Sequence, residues 1–490
     1  MAKSKVAEPS RESMRDDPTL AKVRTLRAGV GAMREAGEVY LPKEERETDE
    51  GYKNRKNRSI LFTGLDQTIE DTADRIFAKD VTLGEDVPAE MVDIEDDITN
   101  DVRNLNNFAR ELLEDGIEAG ISFIYVDSPK PLKTDDENGV MTIAQQRATN
   151  FRPYMVMIKA ENILGWQTTA VNNITQLSQV RIMEAAVEPD PENPYEQLSV
   201  PQVRVLTLDG VVGVEIFREN DKHDWVLHDA FQTIMTEITV VPFYANRTGF
   251  FTGEPVYKHL ADMNVAHWQM SSGYDAALHK SFVPVPVFTG FGIKEFTASP
   301  NMAMVTENEN AKAMYLELKG TSMPMGRARI KDLELAMQLL GLELILPKTG
   351  NTTATGEAID AAKAKTPLAQ MSANLKEALD AALGYMAEYM GIKEGGGTVN
   401  VNTDFGMPGL GNIDLTTLTA AANTGLISQE TYLKELMRRN LLSDDIDVEA
   451  EIERTKEDTP AGLDVLGLDD DEPETVNLGE EFLKVIDGGK

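Results

Sequence analysis

Two stretches of this chain repeat their packing residues at alternating spacings of three and four. In the first, Val256, Leu260, Met263, His267, Met270, Tyr274 and Ala277 follow one another at 4, 3, 4, 3, 4, 3. That is a coiled-coil-like seam on a helix of about 24 residues, roughly 36 Å long at 1.5 Å per residue. Pro284 and Pro286 stop it. Strand-and-loop character follows, including 286–289 and 313–318. A second helix then begins near Met325, where Ile330, Leu333, Met337, Leu340 and Leu344 repeat the spacing. Two helices of similar length around a small β excursion fold naturally as an antiparallel pair with a knob at the tip.

The chain before the pair splits in character. Residues 1 to about 58 are polar, with Asp16-Asp17-Pro18, Pro42 and the basic run Lys53, Arg55, Lys56, Arg58. They read either as an arm with short helices, of the kind that crosses onto neighbouring subunits, or as disorder. Residues 66–79 look helical, with Asp66 as N-cap and Ile69, Ala73, Ile76 and Phe77 on one face. A longer helix is expected over about 96–119 from Ile98, Val102, Leu105, Phe108 and Leu112, with Gly116 and Gly120 marking its end. Residues 121–126 form a short buried strand. From 151 to 245, apolar runs alternate with turn signals, and Asp209-Gly210 is a hairpin turn, so this is an antiparallel β region.

After the pair, Pro347 ends the second helix and 347–356 is a short, polar, glycine-bounded loop. A long helical pattern runs from Glu357 to about Met390, broken or kinked at Thr366-Pro367, and Gly395-Gly396-Gly397 closes it. A strand at 398–402 and helices at 415–423 and 429–440 precede an acidic, aromatic-poor tail.

Composition excludes several functions. There is no cysteine, so disulfides, thiolate chemistry and cysteine metal sites are out. The acidic runs Asp93, Glu95, Asp96, Asp97 and 469–472 are the only candidates for a carboxylate metal site. In a chain with 82 acidic residues such runs arise by chance. The five histidines form no triad or zinc motif, and His259, His267 and His279 all lie on the first helix of the pair. The segment Gly350 to Gly356 lacks the Lys-Ser/Thr ending of a phosphate-binding loop. No enzyme activity, cofactor or metal is expected. No apolar run has the length of a membrane helix, and the first residues carry no apolar signal segment, which points to the cytoplasm or the inside of an assembly.

The formal charge is −34, uneven along the chain: residues 1–60 hold 14 Lys/Arg against 11 Asp/Glu, and 441–490 hold 4 against 17. A protein that grips DNA presents a basic face, because released counterions drive binding. This chain does not fit that description. It does fit one that encloses DNA without holding it, since an acidic wall repels the duplex from all sides. The loop at 347–356 offers Lys348, Asn351, Thr352 and Thr353 for brief phosphate contacts. Arg327, Arg329 and Lys331 near the start of the second helix are either a basic ring near the tip of the pair, or solvated charges and inter-subunit ion-pair partners.

The order of parts resembles the portal proteins of tailed bacteriophages. Local wording agrees: Ala160-Glu161-Asn162-Ile163-Leu164-Gly165-Trp166, Val241-Pro242-Phe243-Tyr244-Ala245-Asn246, the run from Leu260 to Gln269, Gly425-Leu426-Ile427-Ser428-Gln429-Glu430-Thr431, and 445–454. The resemblance spans roughly 52–458. It implies an α+β subunit with an N-terminal arm (1–50), a wing of helices and antiparallel sheet (51–255), stem helices (256–282 and 324–346) and a β clip (283–323). The channel loop (347–356), kinked spine helix (357–397), wing strand and helical crown (398–460) and acidic tail (461–490) complete it. It further implies a homo-oligomeric ring of about twelve subunits at one capsid vertex of the virion, assembled in the host cytoplasm with capsid and scaffold proteins. Double-stranded DNA would pass through it, the large terminase subunit would dock on the clip, and tail or adaptor proteins would follow. The loop residues Lys348, Asn351, Thr352 and Thr353 would face the channel. The rival readings are another head–tail protein, adaptor or scaffold, and a metal-dependent enzyme. Adaptors are usually shorter, scaffolds usually lack such a β region, and neither explains the paired seams.

Overall fold

In the computed structural model the chain divides into two units, Met1–Phe405 and Gly406–Lys490. The described residues are 5–129, 152–171, 173–282, 285–290, 308–316, 323–343 and 367–403, then 418–422, 424, 426–438, 442 and 446–457. The class is α+β, with antiparallel sheets throughout.

The N-terminal residues pack on the first unit as part of its core, neither as a free arm nor as disordered chain. Helix α1 (Pro18–Arg27) starts where the Asp17 carboxylate accepts from the Thr19 and Leu20 amides, with proline at the first turn. It buries Leu20, Val23 and Leu26. Helix α2 (Val30–Ala36) buries Met33, and α3 (Asp49–Arg58) is capped by Thr48. Ahead of α1, Arg181 Nη1 donates to the carbonyls of Val6 and Glu8 at 2.8 Å, and the Ser10 amide donates to Leu164 at 2.6 Å. The polar composition of 1–58 conceals these few, well-spaced apolar anchors.

Helix α4 (Gly64–Ile76) buries Leu65, Ile69, Ala73 and Ile76. Asp66 is not its cap. Thr63 takes that position without a side-chain bond, and Asp66 sits in the first turn as an ion-pair partner of Arg27. A two-residue strand, β1 (Thr82–Leu83), follows. Helix α5 (Leu105–Ala119) is shorter than the periodicity suggests. Asn104 is extended and its side chain accepts from the Asn107 amide, which fixes the start there. Val102 has φ 70° and is 90 % exposed, whereas Ile98 is buried from the preceding loop. Gly116 does not end the helix; it lies inside it, where any Cβ would strike the Phe243 ring. Gly120 is the terminator, left-handed at φ 82°.

Strand β2 (Ile121–Asp127), buried along its length, is the centre of a three-stranded antiparallel sheet with β3 (Tyr154–Lys159) and, later in the chain, Val240–Tyr244. Between them lies a five-stranded meander: β4 (Ile163–Val171), β5 (Ile174–Pro189), β6 (Gln197–Asp209), β7 (Val211–Glu219) and β8 (Trp225–Gln232). Asp209↔Val211 closes the β6–β7 hairpin around Gly210 at φ 75°. Strand β9 (Val240–Tyr244) returns to β2. A small hairpin, β10 (Arg247–Gly249) with β11 (Thr252–Gly253), leads into helix α6 (Lys258–Phe282).

Helix α6 is followed by a hairpin, β12 (Val285–Thr289) with β13 (Lys312–Leu316), paired from Val285↔Leu316 to Thr289↔Lys312. Helix α7 (Met323–Glu343) then runs back. The expected helical pattern from Glu357 to Thr366 lies outside the described residues, and helix α8 spans Pro367–Met390. It buries Leu368, Met371, Leu375, Leu379, Leu383 and Met386, which join α4, α5 and β2 in one hydrophobic cluster. Strand β14 (Val399–Asn400) pairs with β1. In the second unit, α9 (Gln429–Arg438) packs with α10 (Val448–Glu457). Among the described residues, no helix is long and apolar enough to cross a membrane.

Candidate functional site

The paired helices α6 and α7 carry the candidate site. On its inner side α6 is held by α3 and α4 through polar contacts as well as apolar ones. Asn264 accepts from the Leu65 amide at 3.1 Å and donates to the Phe62 carbonyl at 2.9 Å. Ser272 Oγ lies 2.8 Å from Ser59 Oγ, beside Arg55, which is buried and paired with Glu47 at 2.8 Å. The Glu47 hydrogen bond raises the Arg55 guanidinium above its ordinary value against the pull of burial.

Contacts between α6 and α7 run antiparallel. His267 Nε2 lies 3.2 Å from Glu334 Oε1, and its ring is 4.9 Å from that of Phe62. Further along, the Tyr274 ring passes over Gly326, where an added Cβ would sit 3.1 Å from it. On α7, Leu333 and Met337 are buried, Met337 against Gly64 of α4. The strict 3–4 seam is not the buried line of α6. Met270 is 37 % exposed, while Leu260, Ala261, Asn264, His267, Trp268 and Ser272 are buried. Clasped from two sides, α6 buries an arc wider than a single coiled-coil stripe.

The cations expected near the hairpin, Arg327, Arg329 and Lys331, are all exposed on the early part of α7. They do not form one cluster. Arg327 and Lys331 share a face four residues apart, and Arg329 projects from another. Lys348, Asn351, Thr352 and Thr353 lie outside the described residues, as does the acidic run 469–472. The other acidic run has local duties. Glu95 accepts from the Leu83 amide at 3.3 Å, and Asp97 accepts from the Val102 amide and Arg152, both at 2.8 Å. Among the described residues no group of three or more His, Asp or Glu side chains could hold a metal ion.

Two buried charge clusters escape a reading by periodicity. In the first, Arg24 meets Asp115 at 2.6 Å, Glu161 at 3.0 Å and Glu118, while Arg27 meets Glu114 at 2.9 Å, Glu70 at 3.2 Å and Asp66. Burial pulls the Arg24 guanidinium down, but Asp115, Glu118 and Glu161 outweigh it and hold it above its ordinary value. Burial pushes the Asp115 carboxyl up, against Arg24. In the second cluster, Arg204 meets Asp127 and Glu184 at 3.1 Å, and the Tyr125 and Tyr154 hydroxyls reach Asp127 at 3.1 and 3.3 Å. Burial, then Asp127, pushes Tyr154 up to about 12. The i,i+3 pair Arg24/Arg27 and the acids at 114, 115 and 118 were the only sequence hints.

A family model described as "Domain of unknown function (DUF4055)" matches residues 257–390, from α6 to the end of α8. No curated protein matches the chain. Among solved structures, a chain from the neck of an empty gene transfer agent particle computed with C6 symmetry is similar at 11 % identity and TM-score 0.38. That likeness covers 76 % of this chain and 88 % of the other. A chain from the virion of a native gene transfer agent particle gives 10 % and 0.38, covering 81 % and 96 %. One from the native neck computed with C12 symmetry gives 11 % and 0.37, covering 76 % and 89 %. At such scores the superpositions carry no function to this chain.

Proposed function

We propose that this chain is a subunit of a ring-shaped bacteriophage portal at one capsid vertex, the channel through which viral DNA is packaged and ejected. The observation that carries this reading is the order, among the described residues, of helix α6, hairpin β12–β13 and antiparallel return helix α7, with α6 held against α3 and α4. It joins the resemblance of the local sequence to that family. In this reading α6 and α7 are the stem and β12–β13 the clip, where the large terminase subunit docks and tail or adaptor proteins later replace it. Capsid and scaffold proteins would surround the body. The loop at 347–356 would line the channel, with Lys348, Asn351, Thr352 and Thr353 making brief phosphate contacts. The net charge of −34 suits a conduit that must not bind its cargo.

The test is electron microscopy of the purified full chain, with its mass in solution, alone and co-expressed with capsid scaffold. Rings with a central hole are expected. A strictly monomeric chain under both conditions would overturn the reading. Deleting 349–355 should leave rings intact and reduce DNA-filled particles; a normal titre of filled particles would remove the loop from the channel.

A further inference from the structure

We propose that the groove between residues 5–9 and the outer face of the β5–β8 meander docks an extended, basic segment of a partner protein. The inference goes beyond the ring reading and does not depend on it. A period of two divides the side chains of the meander between two faces. Val180, Ile182, Leu206, Val214 and Ile216 belong to the core of the body. Their neighbours in sequence face outward, and the register lines them up across the strands. One row is Met183, Val203, Phe217 and Leu227; the next is Arg181, Val205 and Glu215; a third is Gln167, Gln179 and Thr207.

Residues 5–9 cover only part of this face. Val6 and Ala7 pack against Leu164, Val203 and Val205, and Arg181 Nη1 donates to the carbonyls of Lys5, Val6 and Glu8 at 3.3, 2.8 and 2.8 Å. The face already holds one extended stretch in this way, through small apolar side chains and backbone carbonyls. Beside that stretch lies a solvent-open groove of about 520 Å³, lined by Val205 and Phe217 together with Pro9, Gln167, Gln179 and Glu215. The apolar row continues past the groove to Leu227, which is 53 % exposed on the edge strand β8.

Charge and spacing describe the occupant. Lys5 lies 3.8 Å from Glu8, and Arg181 is occupied by the three carbonyls. Glu215 is exposed and has no ion-pair partner among the described residues. The charge left for an occupant is therefore an anion, and a chain at −34 draws a cationic partner rather than an acidic one. Every second residue of an extended segment advances by about 6.8 Å, the same step that separates Phe217 from Glu215 along β7. A segment lying along β7 sets an apolar side chain over Phe217 and Leu227 and, two residues on, a Lys or Arg at Glu215. The side-chain amides of Gln167 and Gln179 both donate and accept, which suits the backbone of such a segment.

The probe is a fluorescein-labelled peptide of three Val-Ser-Lys-Ser repeats, which alternates valine and lysine on one face when extended. Its anisotropy is followed as the full chain is added. Leu227→Asp should weaken binding about ten-fold, the loss of one seated apolar side chain. Attraction to an acidic surface at large would instead strengthen with the added carboxylate. Glu215→Lys should weaken binding to a similar degree and admit a Val-Ser-Glu-Ser peptide that the wild type refuses. Glu192→Lys, the same charge change on the exposed β5–β6 loop, should alter neither. The proposal is overturned by no binding, by equal binding of a Ser-Ser-Lys-Ser peptide, by unchanged or tighter binding in Leu227→Asp, or by a loss in Glu192→Lys that matches Glu215→Lys. Loss of self-association in Leu227→Asp would also overturn it, because the face would then be a contact between copies. Rings are scored separately on the wild type, so either reading can fail alone. Should Leu227→Asp misfold by circular dichroism, a peptide with benzoylphenylalanine in place of one valine decides. Photo-attachment within 203–227 supports the groove, and attachment elsewhere overturns it.

Discussion

Replacing Arg24 by alanine tests whether α1 belongs to the body. The guanidinium meets Asp115, Glu118 and Glu161, whose side chains are 4, 9 and 26 % exposed. Breaking a buried ion pair by removing one partner costs about 3–5 kcal/mol, because the remaining charge stays buried and unmatched. Arg27 still reaches Glu118 at 3.2 Å, and Glu161 is partly hydrated, so the low end, about 3 kcal/mol, applies. Spread over an unfolding entropy of about 2.1 cal/mol/K per residue and about 400 residues, that lowers the melting temperature by about 3–4 °C. The assay is thermal unfolding of the unassembled chain followed by tryptophan fluorescence in a Trp166→Phe/Trp225→Phe background, which leaves Trp268, an indole fully buried in the cluster that includes Val23 and Leu26. Asp115→Asn should rescue part of the loss, with a coupling of about 1–2 kcal/mol in the double-mutant cycle. The pH dependence has a definite sign. Burial already raises the Asp115 carboxyl, and removing Arg24 raises it further. A raised carboxyl favours the folded state below its unfolded value, about 4, and that contribution is lost as pH rises through the folded value. The deficit of Arg24→Ala should therefore shrink between pH 7 and about 4. A loss under about 0.5 kcal/mol, or strict additivity with Asp115→Asn, would refute the buried knot and return α1 to a loosely attached arm.

Three further outcomes follow from packing and titration. Burial pushes Tyr154, Tyr385 and Tyr389 up to about 12. Their contribution to stability is complete below about 10 and lost as pH rises toward 12, so phenolate absorbance should appear together with loss of near-ultraviolet dichroism. Tyr154→Phe should delay that loss, and separate transitions would contradict the shared burial. Gly116→Val drives a side chain into the Phe243 ring and should cost about 1–3 kcal/mol by denaturant unfolding, against a near-neutral result if the α5–β9 contact can open. Gly120→Ala meets both a φ of 82° and the backbone of Glu254, so it should lose more than about 1 kcal/mol and lower soluble yield; unchanged stability would mean the α5–β2 turn is not fixed by glycine.

Much of the architecture could be read from period and punctuation. The alternation of three and four located α6 and α7, although the strict line is not what α6 buries: Leu260, Ala261, Asn264, His267, Trp268 and Ser272 are buried there, and Leu333 and Met337 on α7. Asp209-Gly210 marked the β6–β7 turn because only a residue tolerant of positive φ fits there. The readings failed where a local polar group overruled the periodic one. Ile98 and Val102 continue the pattern of α5, but the Asn104 side chain caps the helix after them, and only Ile98 is buried. In 1–58, Met14, Leu20, Val23, Leu26, Met33 and Leu41 are too sparse to register against so many charges, yet each is buried. Their seats lie on distant elements, and distance along the chain is what a periodic reading cannot span.

The same contrast bears on the acidic charge. An excess of carboxylates reads as solvent-facing repulsion, but part of it is internal. Arg24 and Arg27 pair with Asp66, Glu70, Glu114, Asp115, Glu118 and Glu161, and of these Asp115 and Glu118 are buried. Paired with two arginines, these carboxylates supply less field at a distance than their number suggests. On α7 the charges are even, Arg327, Arg329 and Lys331 against Asp332, Glu334 and Glu343, and the three cations are exposed with no ion-pair partner among the described residues. If the chain forms the proposed ring, the carboxylates neutralised by Arg24 and Arg27 add little to the field in the channel, so repulsion of a polyanion has to come from the remaining, unpaired acids.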